Sequence, residues 1–222
     1  MSITIIIIII TCGISLIGFN KEKIIDDLIF YPPSVLNQKQ WYRFITSGLI
    51  HADFGHLLFN MIALFLFGQG VNGNGVETAF VDIFEGKGKT LYLLMYAGAL
   101  IVSLLPTYYK NKNNYAYRSL GASGAVSAVI FAGLMIAPGI EVYMYFIPIG
   151  IPGFIFAPLY LIISAVMEKR GGGNINHSAH IWGALFGVAF IILLGKLLAD
   201  YNVLSEFVDK VKLYLKIKGW MQ

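Results

Sequence analysis

Six stretches of the chain are apolar over lengths that suit a membrane crossing: residues 2–19, 54–70, 90–108, 120–137, 142–166 and 179–199. A helix needs roughly 20 mostly apolar residues to cross the hydrocarbon core, and most of the charged residues lie between these stretches, so the pattern predicts six transmembrane helices. The first stretch lacks a basic leader and a small-residue cleavage site, and reads as a retained span. The longest loop, residues 20–52, has Ile24, Ile25, Leu28 and Ile29 at helical spacing, with Trp41, Tyr42 and Phe44 suited to an interface. It is expected to lie on or in the membrane surface. Residues 71–89, rich in Gly and Asn, are expected to be flexible, as is the run "GGG" at 171–173 before the sixth stretch. In the tail, Lys210, Lys212, Lys216 and Lys218 are interleaved with Val208, Val211 and Leu215, which suggests a short surface helix.

Composition sharpens this picture. With 57% hydrophobic and 13% charged residues and a mean hydropathy of +0.72, the chain is too apolar for an ordinary soluble domain. No internal repeat is evident, so residues 1–200 are expected to form one six-helix transmembrane domain, followed by a short basic tail at 201–222. The net charge of +4 suits a lipid bilayer as partner. Clustered basic residues with aromatics between them are missing, so nucleic acid is not an expected partner. The single cysteine, Cys12, excludes an intrachain disulfide. On the six-span reading, nine basic residues fall on one face and seven on the other, so charge does not choose the orientation.

Candidate chemistry follows from parity. Consecutive spans alternate direction, so the N-terminal ends of spans two, four and six open on the same face. All four histidines, His51, His56, His177 and His180, fall at the starts of spans two and six, and Ser123, between small residues in "GASGAVSA", falls at the start of span four. Asn60 lies about one helical turn beyond His56. Polar groups at that depth are costly and usually functional. A serine made nucleophilic by a neutral histidine performs acyl transfer. His180 is the better base, because Gly183 and Gly187 share its helix face and let a partner helix approach closely, with Gly124 beside the serine to receive it. The Asn60 amide, the His56 imidazole and the Ser123 backbone N–H then supply oxyanion donors. "HExxH" is absent, no metal is required, and no cofactor is expected.

"GASG" at 121–124, "AHIWGALFG" at 179–187 and "HADFGHLLFN" at 51–60 together resemble the signatures of the rhomboid intramembrane serine proteases, in the same order and on the same spans. The resemblance runs from Trp41 to Gly187. It implies an all-α, six-transmembrane-helix bundle with a Ser123–His180 dyad opening into a water-filled cavity below the membrane surface. It further implies that His56, Asn60 and the Ser123 amide stabilise the tetrahedral intermediate, and that transmembrane proteins are the substrates. "QWYRFITSGLIH" resembles the family's membrane-embedded first loop, with Arg43 as its structural anchor. His51, Gly121, Gly124, Gly183 and Gly187 complete the supporting set. Cytoplasmic termini, an outward-facing site and a bacterial inner-membrane location are implied by resemblance alone.

Two positions depart from the family's pattern. Members often carry an aromatic residue four positions after the nucleophile, where it packs on the dyad histidine. Here Ser127 stands there, so another side chain must orient the His180 ring. The tryptophan usually adjacent to the loop arginine is displaced to Trp41, with Tyr42 next to Arg43. Pro148, Pro152 and Pro158, with Gly150 and Gly153, make the fifth span the least rigid wall, the one through which the family admits substrate. The rival readings are a non-proteolytic rhomboid-like binder of membrane helices, which would generally lack the serine or histidine, and a small transporter using His and Asn as a relay. The sequence leaves the oligomeric state, the physiological substrate and its cleavage site open.

Overall fold

The computed structural model describes residues 1–144, 147–171 and 175–221. Its helices are α1 (Ile3–Gly18), α2 (Glu22–Leu28), α3 (Pro32–Gln38), α4 (Arg43–Thr46), α5 (Phe54–Leu64), α6 (Val76–Phe84), α7 (Gly88–Asn111), α8 (Ser123–Ile136), α9 (Gly153–Arg170), α10 (His177–Ala199) and α11 (Val203–Ile217). A hairpin of β1 (Glu141–Met144) and β2 (Ile147–Pro152) interrupts an otherwise all-α architecture. Helix α5 continues into a π-helical turn at Phe65–Gln69. By length and apolarity, Val76–Asn111 and His177–Ala199 can each cross a bilayer. The pair Arg43–Leu49 and Phe54–Gln69, bent by 98°, makes a third such span if taken together, while Ile3–Gly18 and Ser123–Ile136 are apolar but shorter.

The centre of the bundle is α10, packed along α8 and against α7. Small residues make this possible. A methyl group at Gly183 would overlap the carbonyl oxygen of Gly124, and one at Gly187 that of Ala128. These two glycines, four residues apart on one face, bring the backbones of α8 and α10 into direct contact. Around this seam, Leu64, Phe80, Tyr92, Met95, Ala99 and Val129 fill the main core.

The first loop is a packed unit. Helices α2 to α4 close a second core in which Phe30, Val35 and Phe44 cover Leu104 and Tyr108 of α7. Arg43, nearly buried, donates from Nη1 to the carbonyls of Asp26 (2.8 Å) and Ile29 (2.6 Å) and from Nε to Gln40 (2.5 Å), so its charge satisfies the loop's own backbone. Paired backbone hydrogen bonds between Phe30 and Ser119 join this loop to the segment leading into α8.

Two expectations are corrected. Residues 71–89 are not simply a flexible loop: they contain α6, whose buried Glu77 accepts from Ser2 Oγ (2.6 Å), Ile3 N (2.9 Å) and Thr4 N (2.9 Å). A carboxylate on the otherwise orphaned N–H groups of α1 fixes the start of that helix. The helix expected from residue 142 begins instead at Gly153, and runs to Arg170. Apolar content misleads here because Ile147, Ile149 and Ile151 alternate with Pro148, Gly150 and Pro152, a period-two pattern that favours strand. Each proline also disfavours helix at the residue before it. Residues 145 and 146 lie outside the described residues, as do Gly172 and Gly173 of the glycine run.

The tail forms α11, docked on the hairpin. Glu141 accepts from Lys218 (2.8 Å), Tyr214 (3.1 Å) and Tyr143 (2.8 Å), and Lys210 donates to the carbonyl of Ile136. The hydrogen bonds from Lys218, Tyr143 and Tyr214, with the Lys218 charge, hold the Glu141 carboxyl down to about 2, against an ordinary 4.5. A lowered native pKa gives this clamp its full contribution above pH 4.5 and removes it as pH falls toward 2.

Two predictions follow from this packing. Gly183→Ala and Gly187→Ala should each lower the melting temperature in detergent through overpacking, at a cost of about 1–3 kcal/mol. Gly13→Ala, where nothing lies within 4 Å of the added methyl, should not lower it. Acidification from pH 4.5 to 2 should release α11, read as a change in the emission of Trp220, which packs on Tyr214 at 6.2 Å. Glu141→Gln should produce that release at neutral pH, and unaltered Trp220 emission in this variant contradicts the clamp.

Candidate active site

Helix α8 starts deep in the bundle. Its Gly124 backs onto Ser103 of α7, with the added-methyl position 2.7 Å from Ser103 Cβ. Ser103 lies eight residues before the end of α7 at Asn111, so the start of α8 is about 12 Å below that end at 1.5 Å per residue. Residues 112–122 descend between the two, held by the Phe30–Ser119 pairing and by Gly121 N–H on the carbonyl of Ser47 (2.9 Å).

The start of α10 is brought to the same level. Asn176 caps it, its Oδ1 accepting from Ala179 N (3.0 Å) and its Nδ2 donating to Thr107 of α7 (3.1 Å). Glu168, at the end of α9, accepts from Ser178 N (3.1 Å) and from Lys110 (3.0 Å). Neither residue is among those expected from the sequence, although an Asn just before an apolar helical run is a recognisable N-cap signal. Across the seam, the added-methyl position of Gly124 lies 3.3 Å from the carbonyl of Ala179. Ser123 and His180 are the chain neighbours of these two contacting residues, one on each helix. Among the described residues no hydrogen bond joins Ser123 to His180; catalytic contacts are often looser before substrate binds.

The third helix arrives through Gly121. Its φ of +112° is a backbone geometry that residues with side chains rarely adopt, and an added methyl would lie 2.6 Å from His56 Cε1 and 2.9 Å from Nε2. The Cε1–Nε2 edge of the His56 ring therefore lies against Gly121, two residues before Ser123. Asp53 caps α5 on the His56 N–H (2.8 Å), and the buried Asn60 donates to the His56 carbonyl (2.9 Å). His56 and His177 are both close enough to His180 to interact with it electrostatically, His177 at 5.9 Å between ring centroids.

His51 has a different role. It is fully buried, with Nδ1 3.1 Å from Ser15 Oγ, which itself donates to the Leu49 carbonyl (3.0 Å), and with Nε2 accepting from Ala122 N (3.4 Å). This pattern calls for a neutral ring protonated at Nδ1. His51 thus ties α1 and the first loop to the residue preceding Ser123, and its ring meets that of His56 edge-on at 5.0 Å.

No side chain caps α8, whereas α1, α5, α10 and α11 are each capped by Ser2, Asp53, Asn176 and Asn202. The first-turn N–H groups of α8, beginning with Ser123, have no intrahelical acceptor and carry the positive end of the helix dipole. Tyr160 of α9, a further residue not expected from the sequence, reaches the same place. Its hydroxyl lies 3.1 Å from His180 Nδ1 and its ring stacks on the imidazole at 6.4 Å and 21°. A separate cavity of about 550 Å³, lined by Phe67, Asn72, Asn74, Gly133, Ile136 and Val142, lies at the other end of α8 and takes no part in this constellation.

Residues 38–197 match the model of the Rhomboid domain. The chain is 30% identical over 150 residues to YdcA of Bacillus subtilis, covering 67% of this chain and 64% of that protein. It is 30% identical over 207 residues to Rhomboid-like protein 11, chloroplastic, of Arabidopsis thaliana (86% and 64%), and 27% identical over 181 residues to the rhomboid protease AarA of Providencia stuartii (71% and 58%). The chain spans less than two thirds of the length of each of these relatives. A domain match over most of the chain, including His56, Ser123 and His180, makes this protein a member of the rhomboid family.

Proposed function

We propose that this chain is an intramembrane serine endopeptidase that cleaves transmembrane-helix substrates near the outer membrane face through a Ser123–His180 dyad. The observation that carries this reading is the backbone contact of Gly124 with Ala179 and Gly183, which sets the first turns of α8 and α10 side by side. The relatives named as rhomboid proteases support the same chemistry.

In this mechanism the proton of Ser123 Oγ passes to His180 Nε2 as the oxygen attacks the scissile carbonyl carbon. His180 returns the proton to the leaving amine, and water then hydrolyses the acyl-enzyme by the same relay. Negative charge on the tetrahedral oxygen meets the Ser123 N–H, the His56 imidazole and the Asn60 amide. The substrate helix unwinds locally, because in a helix the scissile carbonyl is occupied and shielded. Small or helix-breaking residues at the cleavage point make this easier.

Six crossings, formed by α1, α5, α7, α8, α9 and α10, complete the proposed topology. Helix α8, with 14 residues, is about 21 Å long at 1.5 Å per residue, short of the roughly 30 Å hydrocarbon core. A helix reaching one face therefore leaves Ser123 inside the membrane, below the end of α7. The termini are proposed to be cytoplasmic, and the membrane a bacterial inner membrane.

The test is cleavage of a reporter transmembrane segment in proteoliposomes. Ser123→Ala and His180→Ala should each reduce turnover by about 10³-fold or more, and His56→Ala, which removes one oxyanion donor, by about 10²-fold. Cleavage that persists in Ser123→Ala at the wild-type rate overturns the reading.

A further inference from the structure

Tyr160 lies outside the set that a serine–histidine relay requires, yet its hydroxyl is within hydrogen-bond distance of the proposed base. Ser127 leaves the position four residues after the nucleophile without a ring, and the ring that meets His180 comes from α9 instead. Its hydroxyl oxygen is 3.1 Å from Nδ1, and the ring planes are nearly parallel. Phe131 of α8 and Phe156 of α9 brace it, at 5.6 and 5.8 Å between centroids. The same hydroxyl interacts with the side chains of Ser127 and Ser164, both buried. Three helices therefore meet at one phenol.

We infer that Tyr160 is a positioning residue for His180, fixing the imidazole by ring stacking and by accepting the Nδ1 proton in a hydrogen bond. This rests on the protease reading above. A neutral imidazole carries one proton, and a general base toward Ser123 must carry it on Nδ1 so that the Nε2 lone pair is free. Tyr160 enforces that tautomer when its oxygen accepts from Nδ1–H and its own O–H donates to Ser127 or Ser164. The phenol keeps its proton throughout. When His180 takes the serine proton, both ring nitrogens become donors, and the hydrogen bond to Tyr160 becomes charge-assisted. A neutral oxygen thus fills, on the gate-side helix, the orienting place that a carboxylate holds in a three-membered relay. Ser127 changes meaning accordingly: it is the small partner that leaves room for a tyrosine entering from α9.

The test uses the full chain in proteoliposomes with the same reporter. Tyr160→Phe keeps the ring and removes the oxygen. It should lower kcat about tenfold or more with KM within about twofold, because orientation of the base is disturbed and substrate contact is not. The exchange Ser127→Tyr with Tyr160→Ser, which supplies the phenol from α8, should recover most of the lost kcat relative to Tyr160→Ser alone. Wild-type kcat in Tyr160→Phe, or a rise in KM with kcat unchanged, overturns the inference. So does an exchange variant that melts with the wild type yet gains nothing over Tyr160→Ser. Wild-type protein that does not cleave brings down the protease reading first, and the positioning role with it.

Discussion

The arrangement depends on one close backbone approach, that of α10 onto α8. Without side chains at 183 and 187, the carbonyls of Gly124 and Ala128 sit where methyl groups would otherwise be. In lipid, such contact replaces the hydrophobic effect as the source of helix association, since tails are as apolar as the side chains they touch. The consequence is positional. Ser123 and His180 are chain neighbours of contacting residues, so the seam that holds the bundle also sets the distance between the proposed nucleophile and base. Loss of the seam would cost stability and chemistry together.

Around the seam, polar groups are placed where the backbone needs them. Arg43 satisfies the first loop's carbonyls, Glu77 the N–H groups of α1, and Asn176 and Glu168 those of α10. The start of α8, which like those of α2, α3, α4, α6, α7 and α9 has no side-chain cap, lies beside the His56 ring. A buried helix start held open in this way favours developing negative charge. His51 supports this start, because it holds the Ala122 N–H while Gly121 turns the chain with a positive φ.

Much of this was legible in the sequence. Helical spacing picks out Gly183 and Gly187 as the close-packing pair, which the backbone contact with α8 bears out, and on the six-span reading alternation of direction is expected to bring His51, His56, Ser123, His177 and His180 to one face. Other features were hidden for physical reasons. Residues 142–152 are as apolar as a span, and hydropathy does not distinguish a proline-punctuated strand from a helix. Helix α6 was masked by the glycines and asparagines that precede it at 72–75, although Glu77 shows that the segment is anchored. Tyr160 could not be placed, because its contact with His180 depends on how α9 packs and not on any local spacing. The absence of a ring at Ser127 was the one clue that such a residue was needed.

The most direct measurement is labelling of the purified protein with a fluorophosphonate probe, with the modified residue located by mass spectrometry. Covalent modification at Ser123, abolished by His180→Ala in protein that remains folded, is the predicted result. Folded wild-type protein that takes no label, or that is labelled at a different serine irrespective of His180, contradicts the pairing of α8 and α10 as a catalytic seam.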